Sequence, residues 1–131
     1  MTDETKQSAL ERGRELASKI APRMEPVLAE KYDELLPGMS ESLVEWAYGR
    51  QLSRPGLDLK SRYIGIIAAL TALGGQTRPQ LKIQTKGALK AGLTKQEIAE
   101  VIWQTSLYGG MPAAINALNA AIEVFEEQEN K

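Results

Sequence analysis

The stretch DLKSRYIGIIAALTALGG, residues 58–75, decides the fold class of this chain. Asp58 is a good N-cap for a helix, and the glycine pair that begins at Gly74 marks its end. From Ile64 onward the helix is apolar on every side, so we expect it to be the central element, fully surrounded by other helices. The apolar run is about half as long as a bilayer-spanning helix. The pattern therefore predicts the core of a globular domain and no membrane segment.

Helical periodicity extends from this stretch in both directions, and no segment shows the alternating pattern of a strand. Ser40 is the expected cap of the third helix, and Thr94 with Glu97 forms a capping box for the sixth. The predicted helices in chain order are residues 3–20, 24–35, 40–51, 58–73, 77–92, 94–108 and 113–127. The sequence therefore predicts an all-α chain, a bundle of about six to seven helices.

The composition excludes several kinds of chemistry. The 131 residues include 16 Lys and Arg and 17 Asp and Glu, but no cysteine and no histidine. Thiol peroxidase chemistry, Ser-His or Cys-His nucleophiles and the usual zinc sites are therefore excluded, and we expect no metal and no cofactor. Acid–base chemistry must come from carboxylates, lysine, tyrosine or the substrate. Residues 1–14 are too charged for a signal peptide, and a cysteine-free chain fits a reducing compartment, so we expect a cytoplasmic protein.

A basic ridge follows the predicted fifth helix. No acidic residue lies between Asp58 and Glu97, whereas four cations spaced by four residues form the ridge: Arg78, Lys82, Lys86 and Lys90. Such a ridge can attract an anionic substrate or nucleic acid. A charge run is more often a solvated face, here one matched to an acidic neighbour. Nucleic acid is not expected as a partner, because the isoelectric point is acidic and no aromatic residues are interleaved.

Polar side chains interrupt two apolar helix faces. Gln84 lies between Leu81 and Ala88, so we expect it to be buried, either as a hydrogen-bonded core amide or as a polar group directed into a pocket. Gln104 and Tyr108 form an i, i+4 pair beside the apolar stripe of the sixth helix. That pair precedes two glycines, which is typical either of a pocket wall or simply of a helix end.

Arg62 occupies the first turn of the most apolar helix. A guanidinium there needs a partner or a bound anion, because a buried unpaired charge would cost several kcal/mol, roughly. Glu45, on the preceding short helix, is the first candidate. If the two side chains form an ion pair, their role is structural. If they face a cavity, Arg62 can hold a carboxylate and Glu45 can act as a base.

Ordered motifs over a large part of the chain resemble those of one family. They are Ser53–Asp58, Arg62, Gly87–Leu89, Gly92–Thr94, Glu97–Ile98, Tyr108–Ala114 and Asn116–Ala117. Together they resemble the carboxymuconolactone decarboxylase family over about residues 40–125. The resemblance implies a single domain over residues 1–131, with a family core at residues 40–127 and an N-terminal helical extension at residues 1–38.

The resemblance also implies the all-helical fold of the alkylhydroperoxidase D group, assembled into homo-oligomeric rings of three or six subunits. The apolar side of the last helix and Trp103 are then the expected interface surfaces, although Trp103 could equally pack under the N-terminal helices. Such an assembly makes another copy of this chain an expected partner.

The chain departs from the family pattern at four positions. The histidine of the family's decarboxylases is replaced by Gln84, and a second histidine, four residues before the tyrosine, by Gln104. The cysteine pair of the peroxidase branch falls on Thr77 and Gln80. Thiol peroxidase activity is therefore disfavoured, and the decarboxylase imidazoles are lost. The resemblance implies that the chain keeps four residues of the decarboxylase branch: Glu45, Arg62, Tyr108 and Asn116.

Two functions remain open. In the first, the chain binds and converts a small acidic lactone or enol acid. Arg62 then holds a carboxylate, Glu45 or Tyr108 moves the proton, and three amides bind substrate oxygens: Gln84, Gln104 and Asn116. In the second, it is a non-catalytic, oligomeric binding or scaffold protein that keeps the fold. The two differ in whether the amides and Tyr108 share one cavity with Arg62 or Glu45.

Overall fold

The computed structural model of the chain describes residues 6–130. Its helices are α1 (Ala9–Ile20), α2 (Met24–Tyr32), α3 (Met39–Leu43) with a π-helical continuation (Val44–Gln51), α4 (Leu59–Leu73), a 3-10 turn (Gly75–Thr77), α5 (Arg78–Lys90), α6 (Lys95–Gly109) and α7 (Met111–Glu129). No strand occurs in this part of the chain, so the predicted all-α class is confirmed. Nor is any helix of residues 6–130 both long enough and apolar enough to cross a membrane.

The chain divides into two compact units, Met1–Leu57 and Asp58–Lys131. In the first unit, α1 packs on the π-helical segment. The contact is close because Gly49 has no side chain: a Cβ at that position would overlap the carbonyl oxygen of Ala9. The predicted extension over residues 1–38 and core over residues 40–127 remain a prediction.

Two helices of the first unit begin elsewhere than predicted. Helix α1 begins at Ala9 because Ser8 caps it, in a capping box with Glu11. The predicted start at residue 3 lies outside the described residues. Helix α3 follows Gly38, which has a φ of 84°, and Ser40 is buried inside the helix instead of capping it. The Ser40 backbone N–H and hydroxyl donate to the Asp33 carboxylate at 2.9 and 2.6 Å.

The second unit is a bundle in which each helix runs antiparallel to the next. Gly87 of α5 lies against Tyr63 near the start of α4, and Gly109 near the end of α6 lies against Ala72 near the end of α4. Helices α5 and α6 each pack on both α4 and α7 and make little contact with each other. They therefore form two opposite edges of the bundle, on either side of the α4–α7 pair.

Helix α4 is not fully surrounded, so that expectation is wrong. Tyr63, Ile67 and Thr71 are buried, but Ile64 is 42% exposed and Leu73 is 60% exposed. The three neighbouring helices cover one face of α4. The sequence of a helix that is apolar on every side does not indicate how much of its surface the neighbouring helices of the same chain will bury. The predicted stripe of α6 is confirmed at its centre, because Ile98 and Ile102 are buried. The apolar face of α7 is buried at Ala114, Ala117, Ala121 and Val124, but Ile115 and Ile122 are each 47% exposed.

Candidate functional site

The six candidate residues lie in both units. Glu45 belongs to the first unit, in the π-helical segment, and it pairs with Arg50 at 3.5 Å. Wide helical turns of this kind are frequent at functional sites. The other five candidates lie in the second unit: Arg62, Gln84, Gln104, Tyr108 and Asn116. The pairing of Glu45 with Arg62 remains a prediction.

The structure brings Arg62 and Gln84 to similar heights on two helices that pack together. The contact between Gly87 and Tyr63 fixes the register of α5 against α4. Gln84 precedes Gly87 by three residues and Arg62 precedes Tyr63 by one. Because the helices are antiparallel and Gly87 meets the tip of the Tyr63 side chain, the backbones of Arg62 and Gln84 lie within about two helical turns of each other along the bundle axis. Both are half-buried, so the expectation that Gln84 is fully buried is wrong.

Gln104 and Tyr108 lie far from Arg62 and Gln84. They lie one turn apart on α6, and both are exposed, the Tyr108 side chain completely, at 101%. Since Gly109 contacts Ala72, Tyr108 lies about 14 Å along the axis from Arg62. Helix α6 also forms the opposite edge of the bundle from α5. Within the second unit, Gln104 and Tyr108 therefore share no cavity with Arg62, and neither glutamine is sealed in the core.

Asn116 lines a cavity of about 210 Å³ that sequence reasoning missed. The cavity lies where the end of α4, the Gly74–Thr77 turn, the start of α5 and the first half of α7 meet. Its apolar wall consists of Leu70, Leu81, Ala113 and Ala117, and its polar wall of Thr77, Arg78 and Asn116. The Thr77 hydroxyl lies 2.6 Å from the Leu70 carbonyl oxygen and 2.9 Å from that of Gly74. Thr77 therefore holds the turn together.

The basic ridge is matched to an acidic face of α7. Arg78 and Lys82 pair with Glu123, and Lys82 and Lys86 pair with Glu127 at 3.5 Å each. Desolvation raises the pKa of the Glu127 carboxyl, but the charges of Lys82 and Lys86 outweigh it and lower the pKa overall. The structure thus favours the interpretation of the ridge as a solvated face with an acidic neighbour.

No site for a metal ion is apparent in residues 6–130. No three His, Cys, Asp or Glu side chains of that range are grouped so that they could hold an ion. The chemistry available in the six candidate residues is that of three amides, a carboxylate, a phenol and a guanidinium.

Comparison with known proteins gives consistent results. The model of the carboxymuconolactone decarboxylase family matches residues 37–123. An uncharacterized 15.0 kDa protein in the nqo9–nqo10 intergenic region of Paracoccus denitrificans is 37% identical over 125 residues, which cover 95% of this chain and 93% of that protein.

Two similar proteins are named as decarboxylases. The chain is 39% identical over 82 residues to the 4-carboxymuconolactone decarboxylase of Acinetobacter baylyi, covering 63% of this chain and 60% of that enzyme. It is 32% identical over 95 residues to the nitrosuccinic acid decarboxylase npaB of Metarhizium robertsii, covering 72% of this chain and 64% of that protein. The chain thus spans less than two thirds of either named decarboxylase.

Proposed function

Since the chain belongs to the carboxymuconolactone decarboxylase family, we propose that it binds a small acidic lactone or enol acid and converts it by acid–base chemistry without thiol or imidazole. Support comes from two relatives named as decarboxylases, both of them for small acids. The structural observation that carries the proposal is the closeness in height of Arg62 and Gln84 on α4 and α5. Together they supply a cation and an amide to one end of the bundle.

The proposed roles follow from the donors of each group. The Arg62 guanidinium binds the substrate carboxylate through paired N–H donors, a geometry that lysine cannot reproduce. The Gln84 amide donates to a carbonyl or lactone oxygen. When the bond to the carboxyl carbon breaks and CO₂ leaves, the electron pair stays on the neighbouring carbon and spreads to that oxygen. A fixed N–H donor stabilises the negative charge that develops there.

A proton must then reach the carbon that lost CO₂. In the proposal Tyr108 gives this proton from its hydroxyl group, or Glu45 relays one that it has first taken from water, while Gln104 and Asn116 bind further substrate oxygens. An amide has no proton to exchange between pH 5 and 8, so Gln84 and Gln104 cannot take over the role of an imidazole. The expected activity is therefore a lyase reaction that depends on a carboxylate or a phenol for proton transfer.

The proposal includes a homo-oligomer of three or six subunits, in the cytoplasm. Gln104 and Tyr108 are exposed on the single chain, and a neighbouring copy that covers them would enclose a site in which both can act. The absence of cysteine suits a reducing compartment.

The test is a thermal-shift screen of small lactone acids and enol acids, followed by CO₂ release assays on the compounds that bind. Glu45→Gln should lower kcat by about 10²–10⁴ and keep binding, as expected for loss of a proton-transfer group. Arg62→Gln should weaken binding by about tenfold or more, because a charge-assisted bond is lost. Lys60→Gln, in the same turn of α4, is the matched control and should change neither. Normal turnover by Glu45→Gln together with normal turnover by a Tyr108→Phe variant would refute the proposed proton transfer.

A second candidate function is a non-catalytic, oligomeric binding or scaffold protein. The complete exposure of Tyr108, beside Leu107 at 75% exposed, favours it, because such a cluster resembles an association surface more than a buried acid. Binding without turnover across the whole screen would favour this function over the first.

A further inference from the structure

We propose that the cavity between α4, α5 and α7 is a separate binding site for a small aliphatic carboxylate, with Arg78 as its anion-binding side chain. This site uses neither Arg62 nor Glu45, and Asn116 is the one residue that it shares with the proposed substrate site. The sequence pattern identifies Arg78 only as a member of the basic ridge, and this proposal gives it a role in binding.

The size and apolar wall of the cavity suit an acid of a few carbon atoms. Its volume of about 210 Å³ corresponds to about seven water molecules at 30 Å³ each. This volume is smaller than the pockets that hold drug-sized ligands. Leu70, Leu81, Ala113 and Ala117 can contact a short carbon chain, so only one end of the ligand needs polar partners.

The polar wall is suited to a negative charge. It contains one cation, Arg78, and one amide, Asn116, and no carboxylate lines the cavity. A guanidinium carries five N–H donors, so pairing with one carboxylate leaves donors for a second. The Asn116 amide can add a further N–H donor. Of the two, the guanidinium makes the stronger bond to a carboxylate, because its donors are charged and can bind in pairs.

Glu123 orients Arg78, and its negative charge does not repel an anion bound in the cavity. One of its carboxylate oxygens pairs with Arg78, and the other lies 3.3 Å from the Lys82 ammonium group. Two cations thus neutralise the single charge of Glu123. Because Arg78 is held from the α7 side, its position at the wall is fixed before a ligand arrives, which lowers the entropic cost of binding. Glu123 is therefore a positioning residue for this site.

The cavity is distinct from the position of Arg62. Arg78 precedes Gly87 by nine residues on α5, and Gly87 lies against Tyr63, the neighbour of Arg62. Arg78 and Arg62 are therefore about 15 Å apart along the bundle axis. Arg78 lines the cavity and Arg62 does not, so Arg78 is the cation that this site supplies.

The test is calorimetric titration of the full chain with succinate, and with succinamide as an uncharged probe of the same shape. We expect saturable binding of succinate only. Arg78→Gln should weaken it by about tenfold or more. Asn116→Asp should abolish it, since a carboxylate would then face the ligand. Asn116 is exposed, so this second variant should fold even if Arg78→Gln does not. Lys86→Gln is the control, because Lys86 pairs with Glu127 but does not line the cavity.

Three results would overturn the inference: no succinate binding by the wild type, equal affinity for succinamide, or unchanged affinity in Asn116→Asp. A loss of succinate binding in Arg62→Gln but not in Arg78→Gln would assign the ligand to the proposed substrate site and also refute this one. Conversely, failure of the CO₂ release assay leaves the succinate result unaffected. The two proposals therefore fail separately.

Discussion

The two edges of the second unit, α5 and α6, differ in whether their surface side chains find partners within this chain. Both helices pack on α4 and α7, and both approach α4 through a glycine, Gly87 in α5 and Gly109 in α6. On the α5 edge, three cations of the ridge meet carboxylates of α7. On the α6 edge, by contrast, a run of large side chains faces outward: Trp103 is 49% exposed, Leu107 75% and Tyr108 101%.

The difference shows which edge needs a partner. The ion pairs of the α5 edge form within one chain, and exposing their charged side chains to water costs little free energy. Clustered aromatic and aliphatic side chains are the kind of patch that marks an association site. We therefore expect the α6 edge to be the one that a neighbouring copy covers.

The largest expected effect is on assembly. Leu107→Asp places a charge in the exposed apolar cluster of α6, and desolvating that charge in an interface costs several kcal/mol, roughly, at each contact. We expect the variant to sediment as a smaller species than the wild type, with an unchanged free energy of unfolding for the separated chain. Ile83→Asp is the matched control on α5, where Ile83 is 54% exposed, and should leave the sedimentation unchanged. The reverse pattern would place the interface on the α5 edge.

The next largest effect concerns the close contact of α5 with α4. A Cβ on Gly87 would lie 2.5 Å from the Tyr63 hydroxyl oxygen and 3.0 Å from two ring carbons. Tyr63 is fully buried and its ring cannot bend away, so Gly87→Ala should lower the free energy of unfolding by about 1–3 kcal/mol. Urea denaturation measures the change.

The control for that substitution is Gly65→Ala. Gly65 is an exposed residue of α4, and a Cβ there would have no neighbour within 4 Å. The variant should raise stability by about 0.5–1 kcal/mol through helix propensity alone. If Gly87→Ala is as stable as Gly65→Ala, then α5 does not approach α4 as closely as described.

Local chemistry explains which parts of the fold the sequence predicts well. The capping box of Thr94 and Glu97 involves residues three apart, and the structure contains it as predicted. The cap of α3 depends on Asp33, seven residues before Ser40 and in another segment, so the local pattern pointed to the wrong residue. The burial of α4 depends on which helices lie beside it, and helical periodicity carries no such information.

The candidate site was less predictable because it depends on topology. The spacing of four residues between Lys82 and Lys86 predicts a ridge, and Glu123 and Glu127 have the same spacing. Matching the two requires knowing that α5 and α7 are neighbours. The cavity beside Arg78 is built from two stretches far apart in sequence, residues 70–81 and 113–117, and its glycines and alanines carry no signal individually. Only the contacts among α4, α5 and α7 reveal it.

A third prediction compares how the two edge helices begin. The Thr94 side chain accepts from the Glu97 N–H at the start of α6, whereas no side chain caps α5, because the Thr77 hydroxyl is bound to preceding carbonyls. Thr94→Ala should therefore cost about 1 kcal/mol in the free energy of unfolding. Thr94→Ser keeps the hydroxyl and is the control. Equal losses in the two variants would show that the methyl group matters and the cap does not.

A fourth prediction concerns acid sensitivity at the same cap. The backbone hydrogen bond from Thr94, 2.8 Å long, lowers the pKa of the Glu97 carboxyl below its ordinary 4.5. Around that pH the unfolded chain binds more protons at Glu97 than the folded chain does. The stabilising contribution of the Glu97 carboxylate is therefore complete above pH 4.5, and it is lost as the pH falls through the pKa of the folded state. Glu97→Gln should therefore lose less stability than the wild type on acidification below that value. Thr94→Ser, which keeps the hydroxyl and the backbone N–H of the capping box, should lose as much as the wild type.

The smallest effect is expected at the ion pairs of the α5 edge. Glu123→Gln removes the partner of Arg78 and Lys82, but the side chains of Arg78 and Glu123 are 41% and 44% exposed. Exposed pairs are screened by water, so the loss should be only about 0.5 kcal/mol at low salt. It should shrink in 1 M salt, where the Debye length is about 3 Å. Glu126→Gln, an exposed neighbour on α7, is the control.

Because Glu123 also orients Arg78, Glu123→Gln should weaken succinate binding even at high salt, where its effect on stability has vanished. If both effects disappear together, Glu123 acts only through long-range charge, and its positioning role is wrong.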